Sequence, residues 1–309
     1  MSKVAVIGAG KVGEIVAFGL ATKEVANKIV LNDIIEGVAK GKGLDMYEAT
    51  PVIGVDTVIE GSTDPSIIAG ADIVVVPAGS PRKPGMDRMD LLKVNLNICK
   101  SVTNNIVEYA PDAMILYIAN PVDVLTYASW KISGFPTNRV FGMAGVLDTA
   151  RYRTFISMEA NVSVKDISAM VLGGHGDSMV PLVSKTTVGG VPVQHFLSDE
   201  QLEKIVERTR KGGGEIVNIL GYSGYYAPGM AAAEMVEAIL RNQRRVLPTV
   251  AYLDGQYGFS DIYAGVPAIL GKNGVEEVLE IDLDPKEKEA LKVSFEHVKK
   301  GIEEAKQFI

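Results

Sequence analysis

The sequence predicts an α/β protein: a doubly wound parallel sheet over residues 1–145, followed by an α+β domain over residues 146–309. Three observations predict it. Short β-branched runs alternate with segments of helical periodicity through the first half, a glycine-rich turn joins the first run to the first helix, and the rhythm changes near residue 145. Continuous apolar runs are what strands buried on both faces require. Connections between parallel strands are right-handed, which narrows the topology to a sheet covered by helices on both sides.

Taken in order, residues 4–7 form an apolar run that stops at Gly8, and residues 12–20 carry apolar side chains at helical spacing. Residues 28–33 make the next strand and end in a carboxylate; residues 72–78, 114–119 and 139–143 predict three more. Past the boundary, a helix over 147–159 leads to runs at 167–172, 180–187 and 191–196, which predict antiparallel strands. Helices over 199–220 and 228–241, a β-rich stretch over 249–270 and an amphipathic, charged helix from 285 to about 308 complete the chain. No Ser-, Gly- or Pro-rich linker separates the halves, so they are expected to pack closely.

Composition narrows the function. The chain has 309 residues, 47% of them apolar, enough for two cores. Its 31 Lys and Arg against 38 Asp and Glu leave a net charge of −7, a poor match to nucleic acid, which is bound through cationic contacts to phosphate. No apolar stretch approaches the ~20 residues that cross a bilayer. Cys99 stands alone, and the three histidines, His175, His195 and His297, form no zinc-spaced cluster. A soluble, cytoplasmic protein is expected.

Gly8-Ala9-Gly10-Lys11-Val12-Gly13 fits G-x-G-x-x-G between a strand and a helix, and Asp33 ends the next strand twenty residues beyond Gly13. In this Rossmann dinucleotide-binding pattern Gly8 permits the tight turn, Gly10 lets a pyrophosphate approach the backbone, and Gly13 allows close helix packing. The helix N-terminus supplies amide donors and partial positive charge. A carboxylate at Asp33 accepts from ribose hydroxyls and repels a 2′-phosphate, which favours NAD over NADP. Tyr127 and Lys131 match the Y-x-x-x-K pair of short-chain dehydrogenases, but the glycine spacing is wrong for that family.

Four further segments fall where strands should end. Residues 77–88 bear Arg82, Lys83 and Arg88; residues 119–123 run Ala119-Asn120-Pro121-Val122-Asp123; Asp148 and Arg151 share one helix face; and residues 173–177 hold His175 among glycines. Each has a structural alternative: loop solubility for Arg82 and Lys83, turn shaping for Asn120, a surface ion pair for Asp148 and Arg151. Together with the glycine loop they predict hydride transfer on an anionic hydroxy acid. Alcohol oxidation needs a base, and an imidazole of pKa near 6.5 suits it, which selects His175. A buried carboxylate, Asp148, would fix its tautomer and stabilise the imidazolium. Arg88 is the candidate to polarise the carbonyl in reverse, Arg151 the two-donor clamp for a carboxylate, and Asn120 a donor to substrate.

This ordered set resembles the lactate/malate dehydrogenase family, specifically its lactate-dehydrogenase-like malate dehydrogenases, over essentially the whole chain. The resemblance implies a proton-relay pair at His175 and Asp148, carboxylate binding at Arg151, carbonyl polarisation by Arg88, and cofactor contacts at Asn95, Ile118, Ala119 and Asn120. It also implies a homo-oligomer, a tetramer favoured over a dimer. Pro77 and Asn32 depart from the family pattern, which more often carries Thr and an apolar residue there. The segment from Ser80 to Asp87 is expected to close over the site. In relatives that act on lactate the discriminating position resembles a neutral glutamine; here it is Arg82, which would be left unpaired opposite a methyl but pairs with a second carboxylate. Gly224 falls where lactate-specific relatives tend to have Thr, and it should leave room for a longer dicarboxylate. Malate and oxaloacetate are therefore the expected substrates. The alternatives are a lactate or broader 2-hydroxyacid dehydrogenase and, from another class, a non-catalytic NAD-binding protein.

Overall fold

The computed structural model describes residues 1–81 and 88–309, with Arg88 described by its backbone alone. The first half contains β1 (Lys3–Ile7), α1 (Lys11–Thr22), β2 (Lys28–Asn32), α2 (Val38–Ile53), β3 (Val58–Ser62), β4 (Ile73–Val76), α3 (Arg88–Tyr109), β5 (Met114–Tyr117), α4 (Val122–Ser133) and β6 (Val140–Gly142). These six strands run parallel in the order β3-β2-β1-β4-β5-β6. β1 and β4 are buried almost throughout, the signature of strands covered on both faces.

The second half contains α5 (Gly145–Ala160), β7 (Ile167–Ser168), β8 (Val171–Leu172), β9 (Val180–Pro181), β10 (Thr187–Val188), β11 (Val191–Pro192), α6 (Asp199–Leu220), α7 (Tyr226–Leu240), β12 (Arg245–Asp254), β13 (Ser260–Gly271), β14 (Gly274–Val278) and α8 (Pro285–Lys306). The antiparallel strands expected between 167 and 196 are present, but each is two residues long. Short 3₁₀ turns at Val183–Lys185 and Val193–His195, together with Pro181 and Pro192, break the runs.

Two features were not expected. α2 and β3 lack a clean apolar period; they pack through glycines, because a Cβ on Gly43 would lie 2.8 Å from Gly61 N and one on Gly61 would overlap Ala39 O. In addition β12, β13 and β14, which follow the predicted boundary, extend the N-terminal sheet. β12 pairs antiparallel with β6 at Val250 and Gly142, making a nine-stranded sheet among the described residues. The added hairpin covers the edge that β6 would otherwise expose. Among the described residues no helix is long and apolar enough to cross a membrane.

The segment after β8 is docked onto β13. Gly173 N–H donates to Gly265 O at 2.8 Å, and a Cβ on Gly265 would overlap the Gly173 carbonyl. Gly265→Ala should therefore displace this segment and lower stability by about 1–3 kcal/mol. Urea denaturation checks it; an unchanged midpoint would mean that the segment yields freely.

Candidate active site

The glycine loop is built as its spacing requires. Gly8 has φ +114°, a conformation that glycine adopts without penalty, and its N–H donates to Asn32 O at 2.8 Å. A Cβ on Gly13 would overlap the Gly8 carbonyl, so only glycine lets α1 start this close to β1. A Cβ on Gly10 meets nothing within 4 Å, leaving open space beside the N-terminus of α1. That space and the helix terminus suit a dinucleotide's pyrophosphate. Asp33, just past β2, accepts from Ala9 N–H at 2.7 Å and from Ile35 N–H at 3.0 Å. Each oxygen keeps a further lone pair for a ribose hydroxyl.

Two partners of this loop were not visible in the sequence. Lys42 donates to Ala9 O at 2.7 Å and pairs with Glu14 at 2.6 Å. The Lys11 ammonium sits 3.2 Å from the centroid of the Tyr222 ring, a cation–π contact that ties the α6–α7 connection to the glycine loop. Asn32, the polar departure beside Asp33, is buried but paired: its amide donates to Ser62 O at 3.0 Å and Asp64 O at 3.2 Å.

A cleft of about 980 Å³ opens between the two halves, lined by Val12 and Asn120 from one and by Arg151 and His175 from the other. Ile118, Ala119, Asn95 and Gly224 also reach it. Asn95 is buried and braces the strand ends. Its oxygen accepts from Ser80 N–H at 2.7 Å, and its amide donates to Asn120 O at 2.9 Å. At Gly224 a Cβ would press on Ile216 at 3.3 Å, so a larger residue would displace Ile216 first. Arg82 lies outside the described residues, as does the Arg88 side chain. A somewhat larger cavity of about 1050 Å³ between Phe259 and α8 contains none of the predicted site residues. Chemistry, not size, selects the cleft.

At the cleft Asp148 holds two partners. His175 Nδ1 lies 2.9 Å from Asp148 Oδ2, and Arg151 Nη1 donates to Asp148 Oδ1 at 3.1 Å. Asp148 is 2% exposed, and a buried carboxylate is tolerated only with such partners. An ionised carboxylate can only accept, so Nδ1 carries the proton and Nε2 is the open nitrogen. Burial opposes protonation of the ring, but the charge and hydrogen bond of Asp148, with the charge of Asp123, outweigh it and raise the His175 pKa. Arg151 Nε meets no acceptor among the described residues, a buried donor left over for a ligand. Tyr127 and Lys131 lie elsewhere: both reach the Asp261 carboxylate, at 3.1 and 3.5 Å, and anchor α4 to β13.

Two family models match in sequence: lactate/malate dehydrogenase, NAD binding domain, over residues 2–142, and lactate/malate dehydrogenase, alpha/beta C-terminal domain, over residues 145–309. The chain is 55% identical to a malate dehydrogenase of Roseiflexus sp. (strain RS-1) over 97% of both chains. Its structure superposes on the malate dehydrogenase of Salinibacter ruber with a TM-score of 0.95 at 50% identity, covering 99% of this chain and 98% of that one. A lactate dehydrogenase from Cryptosporidium parvum, complexed with lactic acid and nicotinamide adenine dinucleotide, gives 0.94 at 41% identity over 98% and 97%. The cofactor is NAD.

Gly13→Ala tests the glycine loop directly. The added methyl should push Gly8 away, lower stability by about 1–3 kcal/mol and weaken NADH binding. Thermal denaturation and NADH fluorescence titration check it, and unaltered affinity would show that the Gly8–Gly13 contact is dispensable.

Proposed function

The chain belongs to the lactate/malate dehydrogenase family, and from that premise we propose that it is a malate dehydrogenase, oxidising (S)-malate to oxaloacetate with NAD and catalysing the reverse reduction. One observation carries the mechanism: the Asp148 carboxylate shared by His175 and Arg151 at the cleft. NAD held against the Gly8–Gly13 loop and Asp33 would supply the hydride acceptor for the alcohol carbon. His175, through Nε2, takes the hydroxyl proton as general base, and Asp148 holds the ring's tautomer and stabilises the imidazolium. Arg151 clamps the carboxylate next to the reacting carbon with its free donors. Asn120 donates to substrate. Arg88 polarises the carbonyl during reduction, a role assigned from sequence position.

Residues 1–145 hold the cofactor and residues 146–309 supply the base and the clamp. Gly8, Ala9, Gly10, Lys11, Val12 and Gly13 would hold the pyrophosphate, Asp33 the ribose, and Asn95, Ile118, Ala119 and Asn120 the nicotinamide half. A homo-oligomer goes with this reading: α2 leaves Leu44, Tyr47, Val52 and Ile53 exposed, apolar side chains suited to burial against a second copy.

The fold does not choose between malate and lactate, since relatives of both names superpose equally well. Greater identity to malate dehydrogenases and Arg82 favour malate. An arginine opposite the second carboxylate gains a bidentate partner, whereas opposite a methyl it is a desolvated, unpaired charge. Initial rates of NADH oxidation with oxaloacetate and with pyruvate test this. Oxaloacetate should be preferred by on the order of a hundredfold or more, and Arg82→Gln should narrow the ratio. A preference for pyruvate overturns the substrate.

The raised His175 pKa sets the pH dependence. Oxidation needs the neutral ring, so kcat/KM for malate should fall as pH drops through that pKa, above the ordinary ~6.5 of imidazole. Reduction needs the protonated ring and should fall as pH rises through the same value. Flat profiles in both directions would remove His175 as the base, as would full activity in His175→Asn, where a loss of roughly 10²–10⁴-fold is expected.

A further inference from the structure

A second carboxylate lies against the base. Asp123 stands in the first turn of α4, just after the segment that brings Asn120 to the cleft. It is 7% exposed, and its Oδ2 accepts from the backbone N–H of His175 at 3.1 Å. Its Oδ1 meets no donor among the described residues. A buried carboxylate with one unsatisfied oxygen is unfavourable, partly offset by the positive N-terminal end of α4. Hydrogen-bonding economy alone does not account for it, because a serine or asparagine would accept from the same N–H without burying a charge.

The loop around His175 clarifies its use. Three consecutive amides are held from three different elements: Gly173 N–H by Gly265 O of β13 at 2.8 Å, Gly174 N–H by Ser294 Oγ of α8 at 2.9 Å, and His175 N–H by Asp123 of α4. Gly173 and Gly176 lie at φ +90° and +135°, so two glycines of this loop take up conformations that other residues resist. Such a loop does not hold its own shape; its anchors do. Asp123 is the only charged one of the three.

We propose that Asp123 is a positioning residue for His175: its carboxylate fixes the backbone that carries the imidazole and adds a second negative charge to that of Asp148 near the ring. This rests on His175 being the base. The charged groups acting on His175 are Asp148 and Arg151 from α5 and Asp123 from α4; α8 presents the neutral Ser294, β13 presents backbone, the loop itself adds Asp177, and α6 brings Arg210, Lys211 and Glu215 to the same cleft. Burial pushes the Asp123 carboxyl up to about 6 against the hydrogen bond from His175, so it is charged at neutral pH. Its charge and that of Asp148 raise the ring's pKa, while burial and Arg151 lower it.

Asp123→Asn keeps the acceptor and removes the charge; Asp123→Ala removes both. With three histidines in the chain, the ring signals can be titrated by NMR and His175 assigned by its loss in His175→Asn. In Asp123→Asn the His175 titration should move to lower pH by about half a unit to one unit, and the pH limbs of kcat/KM should move with it. In Asp123→Ala kcat should also fall, by about 10- to 100-fold, with a much smaller change in KM and unchanged NADH affinity. A purely structural carboxylate would alter stability and leave the titration where it was. An unmoved His175 titration in Asp123→Asn overturns the proposal, as does an undiminished kcat in a folded Asp123→Ala. If Asp123→Ala does not fold, the near-isosteric Asp123→Asn decides alone. The titration needs no substrate, so failure of wild-type enzyme to reduce oxaloacetate would overturn the substrate and leave the Asp123 result intact.

Discussion

The shared carboxylate of Asp148 governs the arrangement around it. Each of its oxygens has one partner, His175 or Arg151, and neither partner can shift without leaving a buried carboxylate oxygen unsatisfied. The backbone beneath it is correspondingly firm. A Cβ on Gly145, at the start of α5, would come within 2.9 Å of both Pro248 O and Val171 O, so α5 is seated directly on β12 and the β8 strand. Thr149 Oγ1 accepts from Val171 N–H at 2.9 Å. β8 then runs straight into the His175 loop. Base, partner and clamp are thus spaced by backbone contacts, which vary less than side-chain rotamers do.

Much of this was legible in the sequence because the chemistry sits in short segments. Gly8 to Gly13 between a strand and a helix, Asp33 at the end of the next strand, and His175 among glycines all combine residue type with local context. The long helices of the second half were legible too, α6 over 199–220, where Ser198 and Gln201 form a capping box and Gly221 ends it in the left-handed region; α3, equally long, was not. α2 and β3 were not. Gly41, Gly43 and Pro51 interrupt the helical pattern, and the helix holds because Gly43 and Gly61 let it lie against the strand.

What stayed hidden depends on contacts between distant positions. Asp123 and His175 are 52 residues apart, Gly174 and Ser294 are 120 apart, and nothing in either local sequence announces the partner. The Lys11–Tyr222 contact is of the same kind: position 11 reads as a variable site within the glycine motif, and its partner lies on a connection that carries no motif. The joining of β12 to β6 was invisible for a related reason. An antiparallel strand and a parallel one differ little in composition, and a strand's own residues do not say which edge it will cover.

The continuous sheet also limits what the cleft can admit. In proteins whose two lobes are joined by a hinge, the lobes swing apart and a bulky ligand enters between them. Here β12 and β13 fasten the C-terminal half to β6 of the N-terminal half, and a twisted sheet shared across the junction resists that rotation. The mouth can widen only as far as the segments on its rim allow, while the walls bearing Asn120, Arg151 and His175 keep their separation. Selection among acids therefore falls to the side chains on those walls, because no swing of one half against the other can reshape the cleft around a different ligand.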